Sequence, residues 1–294
     1  MYTQIASNKR RSIALLLGFI VFVGGLDYLF ANLLHQPAAF IPILILAIGY
    51  AGISYFFSAK IALSMSGAKE VAKADAPELY RLVENLSIAG GLPMPKVYIV
   101  DDDAPNAFAT GRDPQHAVVA VTSGILERLN KTELEGVLAH ELSHVGNFDI
   151  RFMALVVALV AVVSIISDLL LRLSFWGGAD DDEGGSSNTV LIILSIVGAI
   201  LAPLVAAAIQ FAVSRQREYL ADSTGALLTR YPEGLASALE KISAADLPMT
   251  HANSATAPLY ISNPLKGRSF AGLFDTHPPI EERIRRLREM ETHQ

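Results

Sequence analysis

The sequence predicts an α+β protein, mainly α, integral to a membrane through about four transmembrane helices and carrying a small β-sheet in its polar part. Three observations predict it. Hydrophobic residues make up 52% of the 294 positions, and the mean hydropathy of +0.40 is high for a soluble domain. The excess is gathered into four apolar stretches, each close to the roughly 20 residues that cross a hydrocarbon core. Between them, segments with helical apolar spacing alternate with two short β-like runs.

The first apolar stretch, 13–34, follows Lys9, Arg10 and Arg11 and contains one carboxylate, Asp27. It is too long for the core of a typical signal peptide, and no small-residue cleavage site follows before Gln36 and Pro37, so it is expected to stay as an anchor. The second, 40–57, carries no charge. The third, 152–171, carries only Asp168, with Arg172 one turn on as a local ion-pair partner. The fourth, 189–213, is uncharged but interrupted by Pro203 and Gln210. Stretches three and four also fit buried core helices. The loops at 35–39 and 174–188 contain no lysine or arginine, and the second holds Asp180, Asp181, Asp182 and Glu183. Basic residues instead gather in the N-terminal tail, in 60–151 and beyond 214, so the positive-inside rule places both termini and both long polar segments in the cytoplasm. The expected organisation is a tail with two spans over 1–59, a polar part over 60–151, a membrane hairpin over 152–213 and a second polar part over 214–294. No basic patch of the nucleic-acid type is present. With no cysteine, disulfides and thiolate metal sites are excluded.

In the polar parts, 76–88 reads as a helix with Leu79, Leu82, Val83 and Leu86 on one face, ended by Gly90-Gly91 and two prolines. The runs 96–100 and 117–122 read as short strands, and 106–111 between them as a turn or an edge strand. A short helix is expected over 123–129. Thr132 and Glu135 then match a capping box opening a helix through His144, with Leu134, Val137, Leu138, Leu142 and Val145 as its apolar stripe. Helices are also expected over 215–228, 232–243 and 279–292, with a long, weakly patterned loop over 244–276.

The helix from Thr132 contains His140-Glu141-Leu142-Ser143-His144, an H-E-x-x-H pattern. On a helix the two histidines lie one turn apart on one face, so both imidazoles can reach a single Zn²⁺ while Glu141 takes a proton from its water. Catalytic zinc usually takes three protein ligands and leaves one position open. The metzincin continuation needs glycine at 147 and histidine at 150, where the chain has Asn147 and Ile150. The third ligand is therefore expected further along. Glu218 follows the fourth stretch as closely as His144 precedes the third, and two crossings would return it to the level of the histidines. The alternative is a solvated helix charge paired with Arg215 or Arg217. Asp222, one turn after Glu218, is placed to accept a hydrogen bond from a liganding imidazole.

HELSH, the REYLAD segment around Glu218, Thr276-His277-Pro278-Pro279 before Glu282-Arg283, and the stretch Asn106-Ala107-Phe108-Ala109-Thr110-Gly111 together resemble the HtpX heat-shock type of membrane zinc endopeptidase, related to the CAAX prenyl proteases. The motifs stand in the family's order and cover essentially the whole chain. The resemblance implies a zincin-like (gluzincin) catalytic domain holding one Zn²⁺ per chain on His140, His144 and Glu218, with Glu141 as general base and then acid. It implies that Asn106, Ala107, Phe108 and Ala109 form an edge strand that pairs with substrate backbone. It also implies that His277 donates to the oxyanion and that Arg283 pairs with Asp222 or another site carboxylate. From the residues alone His277 is a turn histidine and Arg283 one more helix charge. The expected protein is an inner-membrane, zinc-dependent metalloendopeptidase with its site in the cytoplasm. It would act on polypeptides, in particular misfolded or damaged membrane proteins under stress, in contact with the lipid bilayer and without nucleic acid. Prenyl-peptide processing of the CAAX type and non-proteolytic metal handling in the membrane are the other readings. His35, His116 and His293 carry no expected role; His251, in the long loop, is a candidate for substrate contact.

Overall fold

A computed structural model describes residues 40–159, 215–245, 247–251, 256–265 and 278–291, together with isolated positions between 10 and 28. Among these residues the protein is mainly helical with one small mixed sheet. In chain order the elements are α1 (Phe40–Phe56), α2 (Ser58–Met65), β1 (Lys69–Glu70), α3 (Pro77–Gly90), β2 (Lys96–Val100), β3 (Ala107–Thr110), β4 (Val118–Thr122), α4 (Ser123–Arg128), α5 (Lys131–Gly146), α6 (Asp149–Leu159), α7 (Arg215–Thr229), α8 (Pro232–Ala244) and α9 (Ile280–Glu291). Short 3₁₀ turns occupy Pro114–His116 and Ala257–Leu259.

The sheet has the order β1-β2-β4-β3, with β2 and β4 parallel and both outer pairs antiparallel. Its period-two alternation divides the core. Val97, Ala107, Ala109, Val119 and Val121 face a large cluster built with α3, α5 and α8. Val100, Phe108, Val118 and Ala120 face a smaller cluster containing Ala62 and Leu63 of α2 and Val157 of α6. Both faces are covered, so β3 and β4 are buried along their whole length.

Helix α5 runs through the large cluster and is buried on nearly every side, not only along its apolar stripe. Two glycines allow the close approaches this needs. A Cβ at Gly136 would lie 2.6 Å from the Leu235 amide nitrogen of α8, and one at Gly225 of α7 would lie 3.0 Å from the backbone of His140. The cap of α5 differs from the expected one. Asn130, not Thr132, is the N-cap: its side chain accepts from Glu133 N–H (3.0 Å), and Glu133 Oε2 accepts from Asn130 N–H (2.9 Å). Both registers satisfy the pattern. Asn130 wins because Glu133 also accepts from Ser237 (2.7 Å) and Lys241 (2.8 Å) of α8, which the other register would forgo.

The helix also stops sooner than a continuous run into the third apolar stretch would require. Phe148 has φ +61°, and the axis turns by 79° between α5 and α6. A straight helix would rise about 12 Å from His144 to Phe152; the turn breaks that path. Among the described residues no single helix is long and apolar enough to cross a membrane; α1, with 17 residues, comes near in composition, and Ile41, Ile45, Leu46, Ile53 and Phe56 on it are exposed. The fourth stretch, Asp27, Asp168, half of the first stretch and most of the third lie outside the described residues.

The two cap registers are separable by mutation. Asn130→Ala is expected to cost about 1 kcal/mol, read as a lower unfolding midpoint of the detergent-solubilised protein, while Thr132→Ala leaves the midpoint nearly unchanged. The reverse result would restore the Thr132 register.

Candidate metal centre

His140, Glu141 and His144 lie on the last two turns of α5, and Glu218 and Asp222 on the first two turns of α7, which packs along it. His140 Nε2 and His144 Nε2 are 3.1 Å apart, and Glu218 places Oε2 3.7 Å from the first and Oε1 3.5 Å from the second. All three donors fall within 4.8 Å of one another. Tetrahedral zinc with bonds of about 2.0–2.1 Å holds its donors about 3.3 Å apart, so the set is spaced for one ion.

The other ring nitrogens point the opposite way. His140 Nδ1 is 2.9 Å from Asp222 Oδ1, and His144 Nδ1 is 3.1 Å from Asp149 Oδ2. With each Nδ1–H donated to a carboxylate, both Nε2 lone pairs face the common point. Arg283 of α9, fully buried, donates to both oxygens of Asp222 at 2.9 and 2.7 Å and to the Ile261 carbonyl at 3.2 Å.

The pocket carries more negative charge than its own cations balance. Burial, reinforced by the Glu218 carboxylate, pushes Glu141 up to about 7. Burial alone would lower His144, but Asp149, Glu218 and Glu141 outweigh it and raise it to about 9. His140 is lowered by its burial despite Asp222. Asp222 is held well below the carboxylate range, because Arg283 and His140 overcome its burial. A dication at the donors would offset that surplus. Glu141 Oε1 is buried with no hydrogen-bond partner. The residues thus fit a zinc ion on spacing, donor type and charge.

Of the stretch Asn106 to Ala109, Asn106 precedes the strand and Ala107, Phe108 and Ala109 fall in β3, which lies beside α5. Ala109 N–H bonds the Glu141 carboxylate. Part of the strand's outer edge is engaged by the chain itself: Ile261 N–H donates to Ala107 C=O (3.0 Å), Tyr260 bridges Phe108, and the Asn106 side chain holds the backbone of Ser262. The cavity at the metal site is lined by the ligands, by Pro258, Leu259, Tyr260 and Ile261, and by Ile150, Met153 and Arg217. His277 lies outside the described residues. The sequence pattern singles out neither Asp149 nor the 258–262 segment, and marks Arg217 only as an alternative partner of Glu218. Asp149 comes five residues after His144, which on a straight helix is about 140° away around the axis. The 258–262 segment pairs with residues some 150 positions earlier.

The model of peptidase family M48 matches residues 73–291, about three quarters of the chain. A protease HtpX homolog of Tropheryma whipplei (strain Twist) is 53% identical over 290 residues, covering 99% of this chain and 98% of that one. Its counterparts in Ligilactobacillus salivarius, at 45% over 298 residues, and Listeria monocytogenes serotype 4a, at 46% over 303, cover 99% of this chain and all of theirs. The crystal structure of S. mikatae Ste24p matches with a TM-score of 0.49 at 18% identity, covering 98% of this chain and 67% of that one. On the family match and on relatives similar along nearly the whole chain, this protein belongs to peptidase family M48.

Proposed function

We propose that this M48 metalloprotease is an inner-membrane zinc endopeptidase that cuts misfolded or damaged membrane proteins at the cytoplasmic face, with about four spans and both termini inside. The observation that carries the reading is the convergence of His140, His144 and Glu218 on one point with Glu141 buried beside them. The protease names of the relatives favour it over non-proteolytic metal handling. The membrane placement rests on the four apolar stretches, on the exposed apolar side chains of α1 and on the distribution of lysine and arginine.

Zinc, when bound, supplies Lewis acidity at the scissile carbonyl and lowers the pKa of water. Glu141 takes the proton from the attacking water and returns it to the leaving amine. Its buried carboxylate lines the same cavity as the three donors, the placement a general base needs. His140 and His144 present Nε2 because Asp222 and Asp149 take their Nδ1–H. Substrate backbone adds along β3, where strand alternation leaves Ala109 C=O facing the same side as Ala109 N–H. With Ala107 and Phe108 engaged by Tyr260 and Ile261, pairing runs from Ala109 toward Gly111. His277 completes the proposal as oxyanion donor.

Purified protein in detergent is expected to cleave an unfolded polypeptide with zinc and to stop with chelator. Glu141→Gln retains zinc and loses cleavage by orders of magnitude; parent-like cleavage by this variant would remove Glu141 from the chemistry. Glu218→Ala loses zinc affinity, and unchanged metal content would dismiss it as a ligand. Arg283→Met strands the Asp222 charge in the core and costs about 3–5 kcal/mol of stability. Arg283→Lys recovers only part of it, lacking the two-pronged donor. Equal midpoints for parent and Met variant would show that Asp222 does not depend on Arg283.

A further inference from the structure

We infer that Asp149 is the positioning residue of the second zinc-ligating histidine, His144, and that Arg217 clamps it there from the helix that carries Glu218. The inference rests on the reading of His140, His144 and Glu218 as zinc ligands.

His140 is oriented by a residue on a neighbouring helix, Asp222, which Arg283 holds in turn. His144 has a different support. The carboxylate 3.1 Å from its Nδ1 belongs to Asp149, only five residues downstream. No straight helix brings positions i and i+5 together on one face. The contact exists because the chain turns at Asn147 and Phe148, where Phe148 adopts φ +61°, a conformation a bulky side chain adopts only under constraint. The turn starts α6 with Asp149 folded back toward α5. Asp149 is 3% exposed, and its other oxygen is 3.9 Å from Arg217 Nε. The Arg217 guanidinium stacks over Phe152, with 4.7 Å between its carbon and the ring centroid. Phe152 belongs to α6, so Arg217 grips that helix at two places. Arg217 also immediately precedes Glu218. One clamp therefore fixes the ring plane of His144 and the start of α7 together, and both donors are oriented before metal arrives.

Three full-length variants in detergent test this, with zinc affinity from competition with a chromophoric chelator as the readout. Asp149→Asn keeps the shape but loses the charge, and it is expected to weaken zinc binding about 10–100-fold. Asp222→Asn, at the other imidazole, is expected to do the same. Glu133→Gln removes an equally buried carboxylate of α5 that touches Ser237 and Lys241 instead, and it leaves zinc affinity at the parent level. The cobalt-substituted Asp149→Asn protein shows shifted visible absorption, reporting altered imidazole ligation, which a loss of stability alone does not produce. Folded Asp149→Asn with parent affinity and an unshifted cobalt spectrum would overturn the inference. If Asp149→Asn does not fold, Asp149→Glu carries the test. It keeps the charge for Arg217 but moves the oxygens by one methylene, so affinity falls if the imidazole is positioned here and stays at the parent level if only the buried charge matters. Parent protein that binds zinc without cleaving an unfolded chain would instead count against the protease reading and leave this inference standing.

Discussion

Two imidazoles and a carboxylate sit near the end of a helix that is buried on almost all sides, and burial of unmet polar groups costs several kcal/mol each. That cost organises the surrounding structure. His140 is met by Asp222, which is acceptable in the interior only because Arg283 neutralises it. His144 is met by Asp149, which faces Arg217. Arg283 in turn binds the Ile261 carbonyl, and Ile261 N–H binds Ala107 of β3. The same set of contacts therefore joins α5, α7, α9 and the sheet edge. Glu141 keeps a buried oxygen, Oε1, without a hydrogen-bond partner, and it is the group assigned the proton transfers. A buried polar atom left unmet at the reactive position is the pattern expected where stability yields to function.

The parts of this arrangement legible in the sequence are those encoded over short distances. HELSH reads directly because a helix puts residues four apart on one face. The helices over 77–90, 215–229 and 232–244 read from apolar spacing, and the strands from β-branched runs. The capping box was misplaced by two residues because Asn130-to-Glu133 and Thr132-to-Glu135 are equally good local patterns; the decision lay with Ser237 and Lys241, some hundred residues away. β1 escaped notice because two residues carry no period. Asp149 escaped because it depends on a turn with positive φ at a phenylalanine, for which the sequence offers no glycine or asparagine at that position. The 258–262 segment escaped because its partner strand lies far upstream, where local patterns are silent.

The edge strand shows how a motif can be read correctly in type and incompletely in use. The reading of Asn106 to Ala109 as a substrate-pairing edge strand follows from the family resemblance. The strand does form, but its first half spends its outward hydrogen bonds on its own chain. Tyr260 explains why this contact is firm. Its ring packs edge-on against Phe108 at 4.9 Å, and its hydroxyl donates to Ser66 of the segment after α2 at 2.8 Å. The segment is therefore anchored on both sides of the sheet edge.

The turn after α5 also bears on how the apolar stretches should be weighed. Hydropathy treats 152–171 as one candidate span, since a lipid-facing helix and a core helix have the same composition. In the described part, Phe152, Ala154, Leu155, Val156, Val157, Ala158 and Leu159 are all buried, and Val157 joins the cluster on the second face of the sheet. The 79° turn is what carries these residues across the protein instead of straight on from the metal helix. The start of the apolar run is thus already committed to the catalytic core, holding Arg217 through Phe152 and the sheet through Val157. In α1 the opposite holds: its large apolar side chains are exposed although the helix has no charge. Of the apolar stretches read from sequence, then, the second has the surface a bilayer would cover, and the third begins as interior.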